Sequence, residues 1–297
     1  MSLKRKSTGE KIFDVFNHAI LVAVATICLY PMIYVLFASF SKPSLLAKHR
    51  GILFYPLGFT LKGYQLVLEN PNIASGYFNT IIYVVVGTGL SLLLTAFGAY
   101  ALSRKDLLWK KQIMVLITFT MFFSGGLIPF YLVVMQLKLI NTRWAVILPS
   151  LISVWNLIVM RTSFQSIPES LIESAKIDGA NDFTVLFRIV IPVSGATMAV
   201  MTLFYAVGQW NSWFNAMIFL RDRDLFPLQL ILREILISND ANAMTRVQDA
   251  SQLVDTDFYK MLVKYCTIIV STAPILCLYP FLQKYFVKGV MIGSLKE

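Results

Sequence analysis

The chain has 297 residues, 57% of them hydrophobic and only 14% charged, with a formal net charge of +10. Soluble domains run at roughly 45–50% apolar and about 25% charged, and a mean hydropathy of +0.68 leaves a water-soluble fold nowhere to hide the excess. Disordered, coiled-coil and disulfide-scaffold classes are excluded as well, and the chain reads as an all-α, polytopic integral membrane protein.

Six apolar runs approach the roughly 20 residues that a helix needs to cross a bilayer core of about 30 Å. The first, residues 19–40, is uncharged and broken only by Pro31; 1–18 precede it. It is too long for a signal-peptide core and lacks a small-residue cleavage site after Phe40, so it reads as an uncleaved anchor. Within the following segment, 41–75, Leu61 to Leu68 reads as a short amphipathic helix. The second span, 77–102, carries Gly87, Gly89 and Gly98, small residues that suit close helix contact. The third, 112–136, is interrupted by Ser124-Gly125-Gly126 and Pro129, which predict a kink or short unwinding. The fourth, 144–160, is short; the fifth, 193–220, turns polar in its second half; the sixth is 265–286.

Short loops set the orientation. Arg104, Lys105, Lys110 and Lys111 crowd the second connection, and Lys4, Arg5, Lys6 and Lys11 precede the first span. Both are expected in the cytoplasm, as is the 287–297 tail. Summed over all loops the bias is small, because the long 221–264 segment also holds basic residues. That segment is either a functional loop or a solvated connector. Cys28, Cys266 and Cys277 lie in apolar runs and read as small hydrophobes. The basic residues flank apolar segments rather than forming a patch with interleaved aromatics, so nucleic acid is not an expected partner.

Residues 161–190, between the fourth and fifth spans, are neither a span nor a simple loop. Ser166-Ile167-Pro168-Glu169 has the pattern of a capping box. Leu171, Ile172 and Ala175 recur at helical spacing after it, and Asp178-Gly179 offers a left-handed stop. Asn181 can cap a second helix whose apolar face is Phe183, Leu186, Phe187 and Val190, and Pro192 marks the turn into the fifth span. The product is a helical hairpin. Its phenylalanines either pack back or dip into headgroups, or they fill a groove on another protein.

Glu173-Ser174-Ala175, three residues, Gly179, nine residues, Ile189, one residue, then Ile191-Pro192 resembles the E-A-A-x3-G-x9-I-x-L-P loop of bacterial ABC-importer membrane subunits. Ser174 and Ile191 are its departures. Asn79-Thr80-Ile81, Ala99 to Arg104, Ile177 to Ala180 and Gln283 to Gly293 are similar to the carbohydrate-uptake branch, of the six-span MalG type and within it the LplC/YtcP-like permeases. The resemblance implies a type I ABC importer transmembrane domain (75–286) working beside a second, MalF-like permease. Two copies of a cytoplasmic ATPase and an extracellular solute-binding lipoprotein would complete it, with an oligosaccharide as substrate and lipid around it. It also implies a coupling helix in which Glu173 meets a basic residue of the ATPase and Gly179 makes the turn. Ala175, Ala180, Phe183 and Phe187 would supply contact surface. The chain has no G-x-x-x-x-G-K-[ST] loop, so ATP and Mg are expected on the partner and no cofactor on this chain.

The end of the fifth span offers candidates for the substrate path. Asn211 and Asn215, four apart, are expected on one helix face beside Trp210, Trp213 and Phe214, with Gln209 and Asn156 as weaker candidates. Amides and aromatic faces suit a sugar; interfacial tryptophans and inter-helix hydrogen bonds explain the same residues. Arg161 reads as an interfacial anchor. Alternatives are a permease for a non-sugar solute or a self-contained channel or secondary transporter, which the absence of charged residues inside the runs disfavours. A membrane enzyme is disfavoured because His18 and His49 are the only histidines.

Overall fold

The computed structural model describes residues 7–237 and 259–277. The 238–258 part of the long loop, the end of the last span and the 283–293 run lie outside them, as do Lys4, Arg5 and Lys6. The chain forms two compact units. Of the described residues, those up to Asn70 and from Ile235 to Thr272 make one, and the remainder make the other.

The first unit is built on α1 (Thr8–Ser39), apolar along most of its length, mostly exposed up to Leu29, half-buried at several positions from Tyr30 and buried at Ala38 and Ser39. At that end α2 (Pro43–Lys48) and the following loop bury Leu46 and Leu53 against Ala38. The amphipathic helix expected at 61–68 is α3 (Lys62–Leu68). It packs on the late helix Tyr259–Cys277 so closely that a Cβ on Gly63 would lie 2.6 Å from Cys266 Sγ.

The second unit centres on α4 (Pro71–Ser103). Its buried positions Ile73, Gly76, Thr80, Tyr83, Gly87, Ser91 and Thr95 step by three or four residues, so one face is enclosed. After α4 come α5 (Lys110–Phe122) and α6 (Leu127–Gln136), bent by 112° where a kink was expected. Phe123 to Gly126 carry no helical turn there, and Gly126 takes φ +85°. Next are α7 (Arg143–Ile147), a 3-10 turn at Leu148–Ser150, and α8 (Val154–Gln165), with a 48° bend at the break.

The hairpin follows: α9 (Glu169–Ile177), then α10 (Asp182–Val185), a π-helical turn (Leu186–Val190) and α11 (Ile191–Val193). An 87° bend at Ser194 leads into α12 (Gly195–Trp210). The fifth span therefore stops at Trp210, and a separate helix, α13 (Phe214–Phe219), follows it.

Beyond α13 the chain is docked rather than loose. Asn79 Nδ2 donates to the Asp224 and Phe226 carbonyls at 2.6 and 3.2 Å, and Tyr83 donates to the Leu225 carbonyl at 2.7 Å. Thr80 Oγ1 accepts from the Leu228 amide at 2.9 Å, where α14 (Leu228–Ile237) begins. Among the described residues three helices are long and apolar enough to cross a membrane, and up to six spans result if each bent pair counts as one.

Candidate functional site

Two features of the second unit can carry function: the hairpin and a polar cleft. The hairpin's inner face is core. Ile172, Ala175, Val185, Leu186 and Val190 are buried in one cluster with Ala99 and Tyr100 of α4 and Met160 and Phe164 of α8. Gly179 takes φ +81°, its amide donates to the Lys176 carbonyl at 3.0 Å, and Ala180 N reaches back to Ala175 at 2.9 Å. That is the left-handed stop expected from the sequence. Asn181 Oδ1 accepts from Thr184 N at 2.8 Å and caps α10, also as expected.

Two local expectations fail. Ser166 does not cap α9: it is the C-cap of α8, and its hydroxyl donates to the Ser163 carbonyl at 2.7 Å, so α9 starts after Pro168 with no side-chain cap. Ala175 is not contact surface, because its methyl is buried against the core. Ala180 and Ile189 also lean on that core and are half-buried.

The outer face presents Glu173, Ser174, Asp178 and Pro192, all exposed. Ile177 is 86% exposed, Phe183 64% and Phe187 44%. Leu171, placed with the inward residues by its spacing, points out as well. Ile177 is the residue that sequence reasoning passed over, although a large apolar side chain next to an Asp-Gly stop was the available signal.

The hairpin is tied to the end of α4. Phe97 meets Phe183 and Phe187 edge-on, at centroid distances of 6.0 and 5.9 Å. Tyr100 donates to Asp182 Oδ1 at 3.0 Å, and Lys176 lies 3.6 Å from the same carboxylate. Lys105 pairs with Glu169. The hydrogen bond and charge of Glu169 raise the Lys105 ammonium above the usual lysine range. The phenylalanines therefore pack one edge back against Phe97 and leave the rest of each ring exposed.

The cleft, about 570 Å³, lies between α8 and α12 and is lined by Ser150, Ser153, Asn156, Tyr205 and Gln209, with Trp155 and Phe204 as aromatic walls. Gln209 Nε2 donates to Ser150 Oγ at 2.9 Å and lies over Gly87, where a Cβ would come within 2.8 Å. Tyr205 bonds Thr95 Oγ1 at 2.7 Å and accepts from Ser153 N at 3.2 Å. Gln209 Oε1, Thr88 Oγ1 and Ser91 Oγ are buried without a partner. Of these three residues only Gln209 lines the cleft, and a buried carboxamide oxygen left in that state is costly, so a hydroxyl donor beside it is chemically welcome. None of the lining residues is charged.

The weaker sequence candidates, Asn156 and Gln209, are the ones the cleft uses. Asn211 and Asn215 do not share a helix face, because α12 ends at Trp210 and the helix restarts at Phe214. Asn211 instead donates to the Val207 carbonyl at 2.9 Å and is exposed. Trp210 is buried edge-on to Tyr77, and Trp213 lies beneath the Arg233 guanidinium, 4.3 Å from its ring centroid. Neither tryptophan is among the residues that line the cleft. Among the described residues no group of three or more His, Cys, Asp or Glu is placed to hold a metal ion.

The second unit thus combines an uncharged polar cleft with a tethered hairpin among apolar helices. The family model for the binding-protein-dependent transport system inner membrane component matches residues 91–292, and the chain belongs to that family as a multi-pass membrane protein. It is similar to the Bacillus subtilis (strain 168) polygalacturonan/rhamnogalacturonan transport system permease protein YtcP, 39% identical over 97% of this chain and 99% of that one. It is also similar to protein LplC of the same organism, 40% identical over 96% and 95%. A solved chain from a bacterial ABC transporter involved in the import of the acidic polysaccharide alginate superposes with a TM-score of 0.88. It shares 33% identity and covers 95% of this chain and 99% of that one.

Proposed function

We propose that the chain is one of two permease subunits of an ATP-driven, binding-protein-dependent oligosaccharide importer. It would form half of the translocation path and take its movement from a separate ATPase through the hairpin. The observation that carries this reading is the hairpin's two-sidedness: one face is welded into the core of α4 and α8, and the other offers Glu173, Ile177, Phe183 and Phe187. Apolar and aromatic anchors beside a carboxylate are what a groove on another protein takes up. When that groove moves on ATP binding and release, the ties to Phe97, Tyr100 and Lys105 pass the motion to α4. Inward- and outward-open populations then exchange by differential binding.

In this reading the hairpin, the 103–111 turn and both termini face the cytoplasm of a bacterial cell. ATP and Mg are held by the ATPase, of which two copies serve the permease pair, and this chain holds no cofactor. An extracellular binding lipoprotein delivers the sugar from the opposite face. The substrate class is taken from the name of YtcP and suits the cleft, whose amides, hydroxyls and aromatic walls match a sugar's hydroxyl edges and C–H faces. Purification from membranes is the test. Recovery of an ATPase and a second permease, with ATP-dependent uptake of labelled oligogalacturonides in proteoliposomes, is expected. Transport by the chain alone would contradict it.

A further inference from the structure

The helix α5 buries none of its residues in the described chain. It touches α8 through partly buried Met114 and Ile117, while Val115, Phe119 and Phe122 stay exposed. Alongside it runs a groove of about 700 Å³ walled by Met114, Val115, Phe119 and Phe122. At one end of that apolar wall stand three cations, Lys110, Lys111 and Arg161.

The hydrogen-bond partners of Lys110 and Arg161 are neutral. Lys110 Nζ donates to the carbonyls of Ser103 and Arg104 at 3.3 and 2.7 Å, and Arg161 Nε donates to the Leu102 carbonyl at 3.0 Å. The Gln165 amide, turned with its oxygen inward, accepts from both cations at 3.1 and 3.2 Å. Arg104 adds a fourth positive charge, and its Nε is buried without a partner. Asp106 is the carboxylate whose field reaches Lys110, and no ion pair joins it to these cations among the described residues. The 13 residues of α5 run about 20 Å at 1.5 Å per residue, which spans one leaflet of a core roughly 30 Å thick. A polar, cation-lined end that opens into an apolar trough of leaflet length matches an amphiphile with an anionic head.

We infer that the groove between α5 and α8 binds an anionic phospholipid, its phosphate held by Lys110, Lys111 and Arg161 and an acyl chain laid along α5. Its placement in the inner leaflet rests on the orientation proposed above; the headgroup chemistry does not.

The test uses the transporter purified with its associated subunits in nanodiscs containing photoactivatable phosphatidylglycerol, with adducts located by peptide mass spectrometry. Adducts on 111–122 are expected, competed by added phosphatidylglycerol and not by phosphatidylcholine or inorganic phosphate. Lys111 is exposed, so Lys111→Gln leaves packing alone and should weaken labelling roughly fivefold, as one cation near a headgroup does, while Lys111→Arg retains it. Equal labelling by photoactivatable phosphatidylcholine, competition by phosphate alone, indifference to Lys111→Gln, or a groove occupied by the second permease would each overturn the proposal. A membrane-impermeant thiol reagent on Lys111→Cys reads the side separately. Modification from outside would overturn the orientation and leave the lipid site standing.

Discussion

Gly179 holds φ +81° with open space where a Cβ would be, so a side chain there meets no neighbour and the cost is purely conformational. Gly179→Ala should therefore destabilise the hairpin by about 1–2 kcal/mol, and Gly179→Asn by less. Limited proteolysis of the 166–193 region, with ATPase recovery, measures both. In the cleft, Gln209 fills the space that Gly87 leaves empty. Gly87→Ala would displace the carboxamide and should lower uptake while permease level and ATPase recovery hold. Asn156→Ala should also lower uptake, whereas Asn211→Ala should not, since Asn211 bonds its own helix and lines no cleft. Transport assays on the three variants distinguish the cleft from the pair of asparagines that spacing favoured. Lys105 has its proton held by Glu169, so this pair's contribution is present at neutral pH and is lost only as pH rises past the raised lysine value. It gives uptake no pH dependence between roughly 6 and 9, since an ordinary lysine already titrates near 10.4.

At the scale of elements, the hairpin acts as a lever only if it is fastened to what it moves. Phe97 is the fastening the chain offers, flanked edge-on by both phenylalanines. Phe97→Ala should leave the ATPase bound and hydrolysing while uptake falls, a split that simultaneous ATPase and transport assays in proteoliposomes detect. Losing both activities together would mean that the hairpin had come apart. Much of this element was legible: Asp178-Gly179 and Asn181 act through their immediate neighbours, and the structure uses them as local chemistry dictates. Ser166 misled because Pro168 and the preceding helix compete for the same turn, and the hydroxyl went to a carbonyl behind it. Breaks were harder to read. Gly125-Gly126 announced one, and Pro192 and Gly195 flank the bend at Ser194, but the end of α12 at Asn211 carries no proline or glycine at the break itself. Hence the fifth span was read as continuous, and Asn211 with Asn215 as a shared face.

For the whole molecule, the apolar faces of α1 and α5 have no cover in the described chain and are suited to lipid or a second subunit. The residues of this chain that line the cleft carry no charge. Composition made the membrane class legible at once, whereas the cleft was not, because its lining comes from two stretches, 150–156 and 204–212, far apart in sequence. The central claim is mechanical: a hairpin sunk on one side into the bundle is gripped on the other by a nucleotide-driven partner. Replacing Ile177, the most exposed apolar residue of the grip face, by a photo-crosslinking amino acid in native membranes tests it most directly. The account predicts an adduct with the ATPase whose yield changes when ATP is trapped; adducts with lipid only, in every nucleotide state, would contradict it.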